Sequence, residues 1–361
     1  MRTIQRNKLD FKGQNIYIGI DVHLKSWSVT VLSENSVLKK FSQSPDAAAL
    51  FKFLFANYPG ASYHSVYEAG FCGFWIHRQL EKFGITNIVV NPADVPTMNK
   101  EKLRKTDSVD SSKLARELRS GSLKGIYVPD DIMLEMRSLI RLRSTIVKDS
   151  TRQKNRIKSL LRFHGIEIPE QFMRHSIGNW SKHFLKWLRD VELSSKYGRE
   201  ALNLHIDQFI RLRVMLLQQT RMIRNISRSE AFAEPIRLLT SVPGIGITTG
   251  ITFLLELDDI SRFASAAHLA SYVGLIPMCH SSGDKDGGGD ITVRKHSMLR
   301  CYIIEAAWIA IRKDPTMTMA YGEYRKRMNA QKAIVKIARK LVNRIYFVLK
   351  RRQEYVPCIV R

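Results

Sequence analysis

Asp107 and Asp110 stand three residues apart in the stretch KTDSVDSSK, residues 105–113. The stretch runs on into Leu114, Ala115 and Leu118, apolar positions at helical spacing. On a helix the two acids project from one face, about one turn apart. Basic residues surround them: Lys100, Lys102, Arg104 and Lys105 before, Lys113, Arg116 and Arg119 after. A hard cation such as Mg²⁺ takes one or two carboxylates and leaves positions open for phosphate oxygens. A helix start capped by Asp107 or Ser108 would explain the same residues without chemistry. The metal reading therefore requires more acids at the same place.

Two more acids fall at strand ends. IYIGIDVHLKSWSVTVL, residues 16–32, reads as two strands joined by a tight turn, with Asp21 ending the first. A second run, Tyr63 to Tyr67, ends in Glu68; a third, Thr86 to Val90, ends at Asn91-Pro92. Trp75 to Phe83 between them has helical spacing. The alternation predicts an α/β domain to about residue 128. Two strand-end carboxylates with a helix pair are the arrangement expected of an RNase H-like nuclease fold. Paired metals there neutralise charge on the attacking and leaving oxygens of a phosphodiester. An actin-like kinase fold also opens with a strand ending in Asp, but it needs glycine-rich phosphate loops after strands. The glycine cluster GDKDGGGD, 283–290, has no strand-to-helix pattern around it.

Composition points to a polyanion. The 361 residues carry 58 Lys plus Arg against 33 Asp plus Glu, a net charge of +25 and a pI near 10.0. Such a field suits DNA or RNA. A membrane surface competes as partner, but no apolar run approaches the roughly 20 residues of a spanning helix. The basic start MRTIQRNKLDFKGQ lacks the apolar core of a secretion signal. Cys72, Cys279, Cys301 and Cys358 show no CxxC spacing and read as free thiols in a reducing cytoplasm. The ten histidines form no zinc pattern.

Residues 130–163 read as one long basic helix, with Leu139, Leu142, Ile146, Val147, Ile157, Leu160 and Leu161 as its apolar stripe. From Arg141 to Arg162, eight Lys/Arg meet a single acid, Asp149, which favours phosphate contact over a merely solvated face. A second long helix is expected within 183–228, where Leu202, Ile206, Phe209, Leu216 and Ile223 approximate a heptad. The two would form an antiparallel pair, either between subunits or packed on their own domain. LLTSVPGIGITTGITFLLEL, 238–257, reads as two helices joined by Pro243-Gly244-Ile245-Gly246, the pattern of a DNA-binding helix-hairpin-helix. A plain turn with a C-cap glycine is the alternative. After an amphipathic helix from Phe263 to Gly274, Ser281 and Ser282 precede the glycine-rich loop, where an uncrowded hydroxyl could reach a phosphorus. A polar surface turn is the commoner use of such residues. Ile334, Ile337, Ala338, Leu341, Ile345 and Val348 form the stripe of a C-terminal helix. From Arg325 to Arg352 there are eleven Lys/Arg and no acid.

Together these residues resemble one family, the DEDD insertion-sequence transposases of the IS110 type. That family includes the Piv DNA invertase, and some members are known as bridge-RNA-guided recombinases. Four segments carry the resemblance: YIGIDVHLKSWSV, VYEAGFCGFW, NPADVPTMNKEKLRKTDSVDSSKLA, and LTSVPGIGITTGITFLLELDDISRFASAAHLASYVGLIPMCHSSG. It runs over nearly the whole chain. One departure is Lys295 in KHSMLR, where relatives commonly carry glycine.

The resemblance implies three regions: a RuvC-like DEDD domain at 1–128, a helical coiled-coil region for dimerisation at 129–230, and a mostly helical transposase domain at 231–361. It places the DEDD acids on Asp21, Glu68, Asp107 and Asp110, holding Mg²⁺, and a catalytic serine on Ser282. That serine would form a covalent phosphoserine with DNA, whose retained bond energy allows rejoining without ATP. Expected partners are donor and target DNA, a non-coding bridge RNA that pairs with both, and further copies of the chain, as a tetramer built from two dimers. The expected location is the bacterial cytoplasm, at the nucleoid. The alternatives are a hydrolytic RuvC-like nuclease with a structural serine, and a non-catalytic basic RNA- or DNA-binding protein. A tyrosine recombinase is disfavoured: His296 and Arg300 are spaced like a helix turn, but the distant arginine and following tyrosine are not in register.

Overall fold

The computed structural model describes residues 10–97, 107–173, 180–282 and 285–357. The chain divides into two compact units, Met1–Val128 and Pro129–Arg361. No described helix is long and apolar enough to cross a membrane.

The first unit is built on a five-stranded sheet. Its strands are β1 (Asn15–Val22), β2 (Trp27–Leu32), β3 (Val37–Gln43), β4 (Ser62–Glu68) and β5 (Thr86–Val90), in the spatial order β3-β2-β1-β4-β5. The first three pair antiparallel; β1 pairs parallel with β4, and β4 with β5. Helices α1 (Ala47–Asn57) and α2 (Trp75–Lys82) connect them, and α3 (Asp107–Arg119) follows β5. Neither β3 nor α1 stood out in the sequence. VLKKFSQ is mostly exposed and carries too few apolar residues to mark a strand.

Alternation along β1 decides what each face holds. Ile16, Ile18 and Ile20 pack with Leu50, Leu54, Ile76 and Leu80 of α1 and α2. Residues of the other parity, Gly19 and Asp21, face α3. Gly19 is the docking notch: a Cβ there would lie 2.0 Å from the Ser111 carbonyl and 2.5 Å from the Ala115 amide. Its neighbour across the ladder, Thr30, shares buried hydroxyl hydrogen bonds with Ser111 (2.9 Å) and Ser112 (3.1 Å). Val66, Val90, Val95 and Leu114 fill the rest of this interface.

In the second unit, α4 (Asp131–Phe163) pairs with α6 (Lys196–Ile226), and α5 (Lys182–Asp190) covers them. Ile157, Leu161, Phe184, Leu188, Leu202, Ile206 and Phe209 share one core. The long helix expected within 183–228 is α6, which the Ser195 hydroxyl starts by accepting the Gly198 N–H; the shorter α5 precedes it. Leu216 is only half-buried, whereas Gln219 is buried.

The remaining elements are α7 (Glu230–Thr240), α8 (Ile247–Leu257), α9 (Ala266–Val273), α10 (Ser297–Lys313), α11 (Pro315–Arg325) and α12 (Ala330–Arg351), with a hairpin of β6 (Pro277–Ser282) and β7 (Lys285–Ile291). All six stripe positions of α12 are buried. Gly244, in the connection between the two helices, has φ +96°, and a Cβ there would lie 2.3 Å from the Ala306 carbonyl. Its missing side chain serves helix packing. The segment expected as a glycine-rich loop is largely β7: Gly287 pairs with His280 and Gly288 with Cys279. Strand pairing is a backbone matter, which glycines do not prevent.

One buried carboxylate ties α4, α8 and α10 together. Glu256 is fully buried and accepts two hydrogen bonds from Arg141, Nε at 2.8 Å and Nη2 at 2.7 Å. His296 Nε2 lies 3.2 Å from its Oε2. The Leu299 N–H donates to Nδ1 of that ring, so Nε2 carries the proton and donates to Glu256. Burial opposes ionisation of Glu256, but these hydrogen bonds and charges outweigh it and hold its pKa at about 2.

Two outcomes are expected. Gly19→Ala should destabilise the first unit by about 1–3 kcal/mol in urea unfolding, because helix backbone rather than a side-chain tip must move. Glu256→Gln should cost about 3 kcal/mol at neutral pH by leaving Arg141 without its partner. The wild-type contribution is present above the ordinary carboxylate value of 4.5 and is lost as pH falls toward about 2. The variant's acid-unfolding curve should therefore be flatter across that window.

Candidate active site

Asp21 belongs to the α3-facing side of β1, one residue beyond the Ile20–Tyr67 pair of the parallel ladder. Glu68 is the next residue after Tyr67, and it shares the parity of Val66, which packs on Leu114. Asp107 and Asp110 occupy the first turn of α3, and Leu114 follows Asp110 by one turn. The docking of α3 at Gly19 therefore sets the helix acids over the strand acids.

Two nitrogen groups link the four carboxylates. His23 Nε2 lies 3.2 Å from Asp21 Oδ2 and 3.4 Å from Asp107 Oδ1. Lys113 Nζ lies 3.6 Å from Glu68 Oε1 and 3.4 Å from Asp110 Oδ1. The Lys113 side chain is only 9% exposed, so these carboxylates rather than bulk water surround its ammonium group. Burial pushes the Asp21 carboxyl above its ordinary range; His23 offsets part of this, and the charges of Asp110 and Asp107 add to it. The neighbours of Asp21 thus do not make up for the hydration its carboxylate loses on burial.

A divalent ion fits that deficit. Asp21, His23 and Asp107 each offer a ligand atom, and these atoms lie within 4.8 Å of one another. Two oxygens on opposite sides of one Mg²⁺ stand about 4.2 Å apart, twice the metal–oxygen distance. His23 and Lys113 were not singled out in the sequence as part of the site. Their signals were the D-x-H spacing after β1 and a lysine three residues after Asp110. Lys100, Lys102, Arg104 and Lys105 lie outside the described residues.

Ser282 belongs to the second unit. Its backbone ends β6 opposite Lys285, beside Ser281, which pairs with Asp286. Gly283 lies outside the described residues. Pro277, Cys279 and Ser281 face Ile291, Gly288 and Asp286, with an irregularity between 277 and 279.

Two family models match the chain. One, described as the IS116/IS110/IS902 family of transposases, matches residues 236–322 and contains Ser282. The other, the DEDD transposase of IS110, matches residues 18–166 and contains all four acids. Over these two stretches the chain is similar to the IS110-family DEDD transposases. Among curated relatives, a putative transposase y4qE of Sinorhizobium fredii is 27% identical over 67% of this chain and 57% of its own length. The transposase for insertion sequence element IS1533 of Leptospira borgpetersenii is 27% identical over 68% of this chain and 70% of its own. A second S. fredii protein, putative transposase y4rJ, is 27% identical over 91% of this chain and 90% of its own. The chain thus spans under two thirds of the first of these and nearly all of the third.

Because the Asp21 pKa is raised, the folded state binds its proton more tightly than the unfolded chain does, so this charge weakens folding at neutral pH. Asp21→Asn should raise the metal-free melting temperature by about 2 °C. The same variant should lose most of the melting shift that Mg²⁺ or Mn²⁺ gives the wild type. Differential scanning calorimetry with and without the ion checks both.

Proposed function

We propose that this transposase is a DNA recombinase that cuts and rejoins strands through a covalent phosphoserine on Ser282, assisted by Mg²⁺ at an RNase H-like, RuvC-type acidic site. The observation that carries the reading is the convergence of Asp21, Glu68, Asp107 and Asp110 from three separate elements onto one end of the parallel β1–β4 pair. The strand order of three antiparallel strands followed by two parallel ones supports the fold assignment.

In the proposed reaction the Ser282 hydroxyl loses its proton and its oxygen bonds to phosphorus. The bond from phosphorus to a sugar oxygen breaks, and that oxygen leaves with a proton. One ester bond replaces another, so the reverse step on a second DNA end restores a phosphodiester without an energy-rich cofactor. Bound Mg²⁺ would supply Lewis-acid neutralisation of charge on the phosphate oxygens. Asp21, Glu68, Asp107 and Asp110 would hold it, with His23 beside Asp21 and Asp107. Lys113 would keep Glu68 and Asp110 together.

The same reading covers the partners. The basic faces of α4 and α12 suit donor and target DNA and a bridge RNA that pairs with both, leaving sequence choice to base pairing. Leu204, Val214, Met215, Leu217 and Met222 are exposed along α6, which supports pairing between copies and a tetramer of two dimers. The turn 241–246 with α7 and α8 would act as a helix-hairpin-helix. The three regions 1–128, 129–230 and 231–361 would divide this work, at the nucleoid in the bacterial cytoplasm.

The test combines adduct trapping with RNA sequencing. Wild type incubated with cognate DNA and Mg²⁺ should yield a denaturant-resistant protein–DNA adduct. Ser282→Ala should abolish both adduct and strand exchange, whereas Asp107→Asn should lower them by a hundredfold or more, on the order of a lost metal-assisted step. Cutting that persists in Ser282→Ala would replace this reading with the hydrolytic nuclease. RNA purified with the protein should be one discrete structured species; random fragments would remove the guide from the proposal.

A further inference from the structure

A second polar cavity lies in the second unit, between α4 and the start of α10. It has a volume of about 420 Å³, and Arg141, Ser144, Lys148, Lys295, His296 and Ser297 contribute to its lining. Three cations meet there, two from α4 and one from the segment just before α10, and no carboxylate lines it. Among the described residues neither Lys148 nor Lys295 has an acid partner, and both are exposed. Arg141 is different: Glu256 engages its Nε and Nη2, which fixes the guanidinium plane and leaves Nη1 as the remaining donor group. The Arg141 side chain remains 55% exposed. The buried carboxylate therefore acts as a mount for an arginine at a cavity wall.

The position of Lys295 is also built. A Cβ on Gly274 would lie 2.5 Å from the Lys295 Cβ, and Gly274 has φ +86°. Arg300 donates to the carbonyls of Gly274 and Thr292, and the Thr292 N–H donates to Ile276 O at 2.9 Å. These contacts close the root of the β6–β7 hairpin and bring Lys295 to the cavity with little freedom of its backbone.

We propose that this cavity binds a backbone phosphate of a nucleic acid and so anchors a strand at the root of the hairpin that bears Ser282. Its volume accepts a nucleotide-sized group. A guanidinium, two ammonium groups and hydroxyls without a competing acid suit a phosphodiester, whose charge is spread over two oxygens. The site requires only nucleic-acid contact, so it stands or falls separately from the phosphoserine chemistry.

The test is a fluorescence-anisotropy titration of full-length protein across a salt series, with a labelled DNA duplex in one arm and a labelled RNA hairpin in the other. Lys148→Ala/Lys295→Ala is compared with wild type and with Lys52→Ala/Lys82→Ala, a charge-matched control on exposed lysines of the first unit. The cavity variant should bind about tenfold more weakly, and its log-affinity against log-salt slope should fall by roughly 1, the value for one lost phosphate contact. The control should change less on both measures. Loss in the DNA arm alone assigns the phosphate to DNA, loss in the RNA arm alone to RNA, and loss in both to either strand. Affinity and slope matching the control in both arms, with unchanged melting temperature, would overturn the proposal. A wild type that binds as described but never forms a covalent adduct would sink the strand-exchange reading and leave this site standing.

Discussion

The close approach of α3 to the central strand governs the first unit. At Gly19 the helix backbone comes within the space a methyl group would fill. That proximity sets the helix acids over the strand acids, and like charges at such range repel strongly where water is partly excluded. One imidazole and one nearly buried ammonium group sit among these acids, each shared between a strand acid and a helix acid. Burial leaves Asp21 reluctant to ionise, and the pairing with His23 offsets only part of this. A structure that gathers negative charge to this degree is held ready for a cation, and its stability is lower for it.

The second unit solves the opposite problem. It has an excess of bases, and it uses one deep carboxylate to order two of them. Glu256 holds Arg141 from α4 and His296 from the start of α10, so three elements with little sequence proximity are fixed relative to one another. Breaking the mount would loosen helix packing and cavity together. The same side chains thus hold three helices together and line the cavity.

Much of this could be read from residue order alone, and the limits have physical causes. Strand-end acids were legible because β1 and β4 are central strands with dense β-branched and aromatic runs that stop at Asp21 and Glu68. The edge strand β3 was not, because an edge needs only one good face. The helices α4 and α12 were legible from their period, and the break before α6 was not, since VELSS contains neither glycine nor proline. His23 was not named and Lys113 was named only as a neighbouring base, because their meaning depends on the third dimension: each becomes informative only when sheet and helix are superposed. Glycines say little by themselves about the structure around them. Gly244 serves a helix crossing, and Gly287 and Gly288 sit in a ladder whose pattern no side chain announces.

The borders of the sheet carry a last consequence. On one side β3 presents Lys39 and Lys40, the former lying over the Phe53 and Phe41 rings. On the other, the Ile126 N–H donates to the Val89 carbonyl at 2.7 Å and occupies part of the outer rim of β5. Charged or occupied rims resist the addition of a foreign strand. Guarded rims let copies of the chain come close together without adding strand to strand.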